Sequence, residues 1–118
     1  MKSLCLSFFA VFLLMATAAH ALPLKAYKAA QKADDLDAID TYIDGVGNAY
    51  FWANWVLRAD NKEPLFCTPD LALNHDNYLA LLDRQIKEGV PPKGSWRDDD
   101  AIEVILLRAL QRTFPCKK

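Results

Sequence analysis

Residues 36–60 read LDAIDTYIDGVGNAYFWANWVLRAD, and this stretch decides the fold class. Leu36, Ile39, Ile43, Val46, Tyr50, Ala53 and Leu57 follow steps of three and four residues. That spacing stacks them on one side of a helix with 3.6 residues per turn, so it predicts an amphipathic helix over 36–60. Asp34 precedes it as an N-cap, and Asp37 lies in its first turn, where the helix dipole favours negative charge. From Ala49 to Leu57 the sequence is apolar on every side except at Asn54. A helix apolar all round must be covered all round. Two arrangements satisfy this: the segment is the central helix, or Trp52 and Trp55, with Phe51, enter an interface between chains. Gly45 and Gly47 each cost about 1 kcal/mol against Ala inside a helix, and close approach of a neighbouring helix is the compensation expected there. A phosphate-binding loop is excluded, since no strand precedes the glycines and no Lys-Ser/Thr pair follows.

Outward from this helix the pattern stays helical. Residues 25–32 (KAYKAAQK) form a short helix rich in Ala and Lys, with little core to offer. Asp60 to Phe66 is a polar loop containing Pro64. Thr68-Pro69-Asp70 then supplies a cap, a proline at the first helical position and an acidic first turn. Leu71, His75, Tyr78, Leu82 and Ile86 make the stripe of that helix, which ends at Gly89. Pro91-Pro92 stops it, leaving residues 88–94 as an exposed connection. Ser95 with Asp98 has the spacing of a capping box for a last helix. Its core face is Ile102, Ile105, Leu106, Ala109, Leu110 and Phe114, widened by Val104 and Leu107, and Pro115 ends it. No alternating pattern long enough for a strand occurs. The expected fold is all-α, a small bundle of three to four helices.

The chain has 118 residues, enough for one domain. Its net charge of −1 argues against nucleic-acid binding, which calls for a basic stripe. Lys2 followed by an apolar run from Leu4 to Met15 and the small-bulky-small triplet Ala19-His20-Ala21 predicts a signal peptide over residues 1–21, cut after Ala21. The apolar run is too short for a bilayer span of about 20 residues, so the domain at 22–118 is expected to be soluble and exported. It retains Cys67 and Cys116. In an oxidising compartment an even pair reads as a disulfide, here joining the start of the third helix to the end of the fourth. The alternative, a two-cysteine metal site, lacks ligands, since His75 is the sole histidine left after cleavage.

Catalytic signals are weak. His75 lies on a helix stripe with no serine or cysteine in a nucleophile context. Asp98-Asp99-Asp100 lacks the alternation of a calcium loop and reads as a helix start. Asp34, Asp35, Asp37, Asp40 and Asp44 read as one solvated face. Neither a catalytic residue nor a metal or cofactor is expected. The aromatic residues carry more: Phe51, Trp52 and Trp55 exceed what a small core absorbs, and such side chains dominate interfaces. The loop from Gly89 to Trp96 (GVPPKGSW) is stiffened by two prolines, and a stiff loop loses less entropy on binding. Lys93, Ser95, Trp96 and Arg97 are therefore the candidate contact residues.

Several motifs occur in a recognisable order: Tyr42-Ile43-Asp44-Gly45-Val46, Phe66-Cys67-Thr68-Pro69, and a last helix ending Ala109-Leu110 and Phe114-Pro115-Cys116. After a signal peptide, this order resembles the Tai (or Rap) family of type VI secretion amidase immunity proteins, over nearly all of residues 22–118. The resemblance implies a periplasmic helical homodimer that binds a peptidoglycan amidase and occludes its active-site cleft with a projecting segment, without catalysis of its own. Cys67 and Cys116 match the family's disulfide positions. A periplasmic adaptor or chaperone-like protein of the same fold, with no toxin partner, is the alternative.

Overall fold

The computed structural model describes residues 20–68, 73–90 and 94–117. The expected signal peptide, up to residue 19, and Lys93 lie outside the described residues. Four helices follow one another: α1 (Leu24–Ala33), α2 (Asp37–Ala59), α3 (His75–Glu88) and α4 (Ile102–Thr113). The described residues contain no β-strand; one isolated bridge pairs Pro23 with Ala101. The all-α bundle read from the sequence is the observed architecture.

The core lies among α2, α3 and α4. Ile102, Ile105, Leu106, Ala109 and Leu110 of α4 are all buried, which is the stripe its periodicity predicts. Tyr78, Leu81 and Leu82 of α3 meet them, and Ile43 contributes from α2. Val104 departs from the expected wider face and is half exposed. α1 departs more strongly: Leu24 and Tyr27 are both fully buried, so this short helix adds two side chains to the core. Its alanines and lysines hid that contribution, because the two apolar residues are three positions apart and share a face. The Tyr27 hydroxyl donates to Asp83 Oδ1 at 2.6 Å and accepts from Gln31 Nε2 at 3.2 Å. Burial is the first cause pushing its pKa upward, with the Asp83 hydrogen bond second.

Several boundaries differ from the sequence reading. Asp34 does not cap α2. It takes a left-handed conformation (φ 55°) at the end of α1, where its backbone N–H reaches the Ala30 and Gln31 carbonyls; Asp tolerates that conformation better than most residues. α3 starts at His75 rather than near Thr68. The Asn74 side chain accepts from the Asn77 backbone at 3.0 Å, and the Asn77 side chain accepts from the Asn74 backbone at 3.0 Å. This reciprocal box satisfies two of the orphan N–H groups. It places His75 in the first turn rather than midway along a stripe. Ser95 and Asp98 likewise make no box. The Arg97 N–H donates to Asp100 Oδ2 at 2.7 Å, and α4 opens after Ala101 with no side-chain cap.

Cys67 and Cys116 form the expected disulfide, with Cα atoms 4.9 Å apart. The Cys67 N–H also donates to the Phe114 carbonyl at 2.8 Å. The bridge holds the loop after α2 against the end of α4.

Gly47 is buried because the Tyr78 ring lies against it, only 2.5 Å from where a Cβ would stand. Close approach therefore accounts for Gly47. Gly45 differs, since a Cβ there would meet nothing within 4 Å.

Candidate functional site

Two surfaces collect the residues singled out by sequence. The first surrounds the connection between α3 and α4. Gly89 ends α3 with φ 77°, and a Cβ at that position would stand 2.1 Å from the Gly94 carbonyl oxygen. Positive φ and lack of space both require glycine. Val90 N–H donates to the same Gly94 carbonyl at 3.1 Å, which closes the loop at its base. Gln85, nearly fully buried, fixes the loop from below. Its Nε2 donates to the Gly89 carbonyl at 2.8 Å, and its Oε1 accepts from Arg112 at 3.1 Å. Its own carbonyl accepts the Trp96 indole N–H at 3.0 Å.

Trp96 is therefore half-buried and anchored by its indole, with the rest of the ring facing a shallow cleft of about 330 Å³. Among the described residues, Val90, Arg108 and Arg112 also line it. Ser95 and Arg97 are exposed beside it, and Arg97 reaches no further than Asp100, 3.5 Å away. The structure thus brings Trp96 together with two arginines from α4, while Ser95 and Arg97 stand on the rim. An aromatic wall flanked by guanidinium groups suits carboxylate or planar polar groups of a partner chain. Arg112 is partly committed, lying 3.3 Å from Glu88; Arg108 bonds Gln111 at 3.2 Å. Arg108 and Arg112 escaped the sequence reading. Their four-residue spacing puts them on one face of α4, but what that face meets is visible once the loop is placed.

The second surface is the outer side of α2. Trp52 is 59% exposed, Trp55 57% and Val56 50%, with Phe51 at the edge of exposure. The rings of Phe51 and Trp52 meet edge to face at 5.4 Å, and those of Trp52 and Trp55 at 6.2 Å. The one polar residue of the segment, Asn54, is buried instead. Its Nδ2 donates to the Phe66 carbonyl at 2.5 Å, and its Oδ1 accepts from Leu65 N–H at 2.6 Å. At about 100° per residue, Trp52 and Val56 lie nearly opposite Asn54. Binding the loop through Asn54 therefore turns the indole of Trp52 outward. Of the two arrangements the sequence allowed, a central helix is ruled out for residues 51–56. Ala53, assigned to the core stripe, is exposed as well.

The remaining titratable candidates have structural partners. His75 Nε2 lies 3.8 Å from Asp40 Oδ2. Asp40 and Asp44 are half-buried and leave the solvated acidic face, on which Asp34, Asp35 and Asp37 remain exposed. Asp98 and Asp99 bind Lys28 and Lys25 of α1, each at 2.9 Å, so they tie α1 to the segment before α4. No group of three or more potential metal ligands occurs among the described residues. No described helix is long and apolar enough to cross a membrane.

Compared with protein-family models, curated proteins and solved structures, the chain gives no match.

Proposed function

We propose that this chain is an exported, non-catalytic binding protein that pairs through the aromatic face of α2 and occludes a peptidoglycan amidase with the region around the α3–α4 loop. The observation that carries a binding role is the row of Phe51, Trp52, Trp55 and Val56. A domain this small gains stability by burying such side chains, yet Asn54 occupies the inward position and two indoles remain in solvent. Contiguous apolar surface of this kind marks interaction sites. The disulfide is compatible with an oxidising destination, in accord with the leader-like residues 1–21. The amidase as partner rests on the motif order Phe-Cys-Thr-Pro and Phe-Pro-Cys and on the exposed position of Ser95 and Arg97.

Two measurements test this reading. Residues 22–118 are expected to sediment as a dimer, and Trp52→Ser with Trp55→Ser is expected to give a folded monomer. The amidase encoded beside this chain is expected to lose activity on stoichiometric addition of the protein, and Arg108→Glu is expected to weaken that inhibition at least tenfold. An adjacent amidase that is neither bound nor inhibited at micromolar concentration overturns the immunity role.

A further inference from the structure

Among the described residues, burial rises from Ala21 to Leu24. His20 and Ala21 are exposed, Leu22 and Pro23 are half-buried, and Leu24 is fully buried. Between Leu22 and Lys25 the backbone is bonded at three residues to the segment before α4 and its first turn. Ile102 N–H donates to the Leu22 carbonyl at 2.9 Å, Leu24 N–H to the Asp100 carbonyl at 2.8 Å, and Lys25 N–H to the Asp98 carbonyl at 2.9 Å. This register places the nitrogen of Leu22 3.1 Å from Oε1 of Glu103.

Glu103 is unusually placed for a carboxylate. Tyr42 Oη donates to the same Oε1, and Tyr50 Oη donates to the Glu103 carbonyl at 2.9 Å. Its other oxygen, Oε2, is buried and has no hydrogen-bond partner among the described residues. A buried carboxylate oxygen without a partner costs free energy, more so when charged. The hydrogen bond from Tyr42, with burial second, pushes that phenol up to about 12, which keeps it a donor to Glu103. The pocket therefore holds a carboxyl group with one oxygen unpartnered, to which the uncut chain offers one amide hydrogen.

We propose that signal-peptide cleavage between Ala21 and Leu22 creates the missing partner: the new α-ammonium group of Leu22 pairs with the Glu103 carboxylate and locks residues 22–25 onto α4. The inference rests on the exported-domain reading above. In the step itself, a signal peptidase adds water across the Ala21–Leu22 amide. Ala21 leaves with the carboxylate, and Leu22 keeps an amine that takes up a proton at neutral pH. One amide N–H with no charge becomes an ammonium with three donors and a full charge. It serves Oε1 from the position the amide nitrogen already occupies and supplies further hydrogens on the side of Oε2. Glu103 thereby acts as a receptor for the processed terminus, and the folded domain is completed by its own maturation.

The test has two readouts. The full chain is expressed with its leader in a host that exports it, and the product is sequenced from its N-terminus; Leu22 is the expected first residue. Then the form starting at Leu22 is compared in thermal unfolding with a form that retains His20 and Ala21, and with the Leu22 form acetylated at its α-amino group. The free Leu22 form is expected to melt higher than both by about 4–8 °C, the scale on which one such pairing moves a domain of this size. In Glu103→Gln, which keeps the shape but removes the charge and replaces one acceptor oxygen with an NH2 donor, the three forms are expected to melt together. Equal melting of the three forms in the parent sequence overturns the pairing, as does a gap that persists undiminished in Glu103→Gln. A processed product that starts at another residue overturns the proposed register while leaving export intact. A product that keeps residues 1–21 overturns the exported-domain reading itself, and this inference with it.

Discussion

The second half of α2 is richer in apolar residues than α4, yet the two obey their sequences differently. In α4 the periodic residues Ile102, Ile105, Leu106, Ala109 and Leu110 all face inward. In α2 the segment from Phe51 to Val56 turns a polar residue inward and four large apolar ones outward. Length supplies part of the reason. The 23 residues of α2 span about 34 Å, whereas the 14 of α3 and 12 of α4 span about 21 and 18 Å. The shorter helices cannot cover all of the longer one. Beyond their reach α2 is met by the loop at Leu65 and Phe66, whose backbone groups need hydrogen bonds, and Asn54 supplies them. A helix facing helices buries its apolar stripe; a helix facing a loop buries the side chain that satisfies the loop.

The comparison can be broken at four points. The largest effect is expected from Cys67→Ser with Cys116→Ser, which frees the loop from the end of α4. In the chain-entropy account a loop closed across 49 positions contributes roughly 4 kcal/mol, and chemical denaturation of the double variant is expected to show a loss on that order. Next, Asn54→Leu restores an all-apolar segment yet strands the Leu65 N–H and the Phe66 carbonyl. A loss of about 2–3 kcal/mol is expected. A gain in stability in that variant would show that apolar burial, not loop satisfaction, sets the orientation of this half of the helix.

Gly47→Ala drives a methyl group into the buried Tyr78 ring and is expected to cost about 1–3 kcal/mol. Gly45→Ala, two residues away and facing open space, is expected to stabilise by about 0.5–1 kcal/mol through helix propensity alone. Opposite signs at the two sites, read by urea unfolding, mark where α2 passes from contact with α3 to solvent. The smallest change in monomer stability is expected from Trp52→Ser, within about 0.5 kcal/mol as for other exposed positions. Its effect belongs in self-association instead, measured by sedimentation. A large loss of monomer stability in that variant would place Trp52 in a core role its exposure contradicts.

Much was legible before any coordinates. The three- and four-residue steps of 36–57 and 102–114 gave the helical class, and Gly89 and Pro115 marked the ends of the last two helices. The even pair Cys67 and Cys116 gave the bridge. The candidate loop was legible in outline: its prolines and glycines mark it, and the structure adds the glycine constraint at Gly89 and the Gln85 support beneath Trp96. Other features were not legible. Asn74 with Asn77 makes a capping box where Thr68-Pro69-Asp70 offered a threonine cap followed by proline, and local sequence alone does not rank two adequate starts. Arg108 and Arg112 become part of a cleft because Trp96 is folded back toward them by a carbonyl eleven residues away.

By itself, then, the sequence determined which segments are helical, where they stop and which cysteines are paired, because those properties depend on spacing within a segment and on residue type. The tertiary structure alone decided which side of residues 51–56 meets solvent, and that Leu22 to Lys25 dock beside Glu103. Both depend on the hydrogen-bonding needs of a distant backbone, and a periodic pattern carries no record of what it will be packed against.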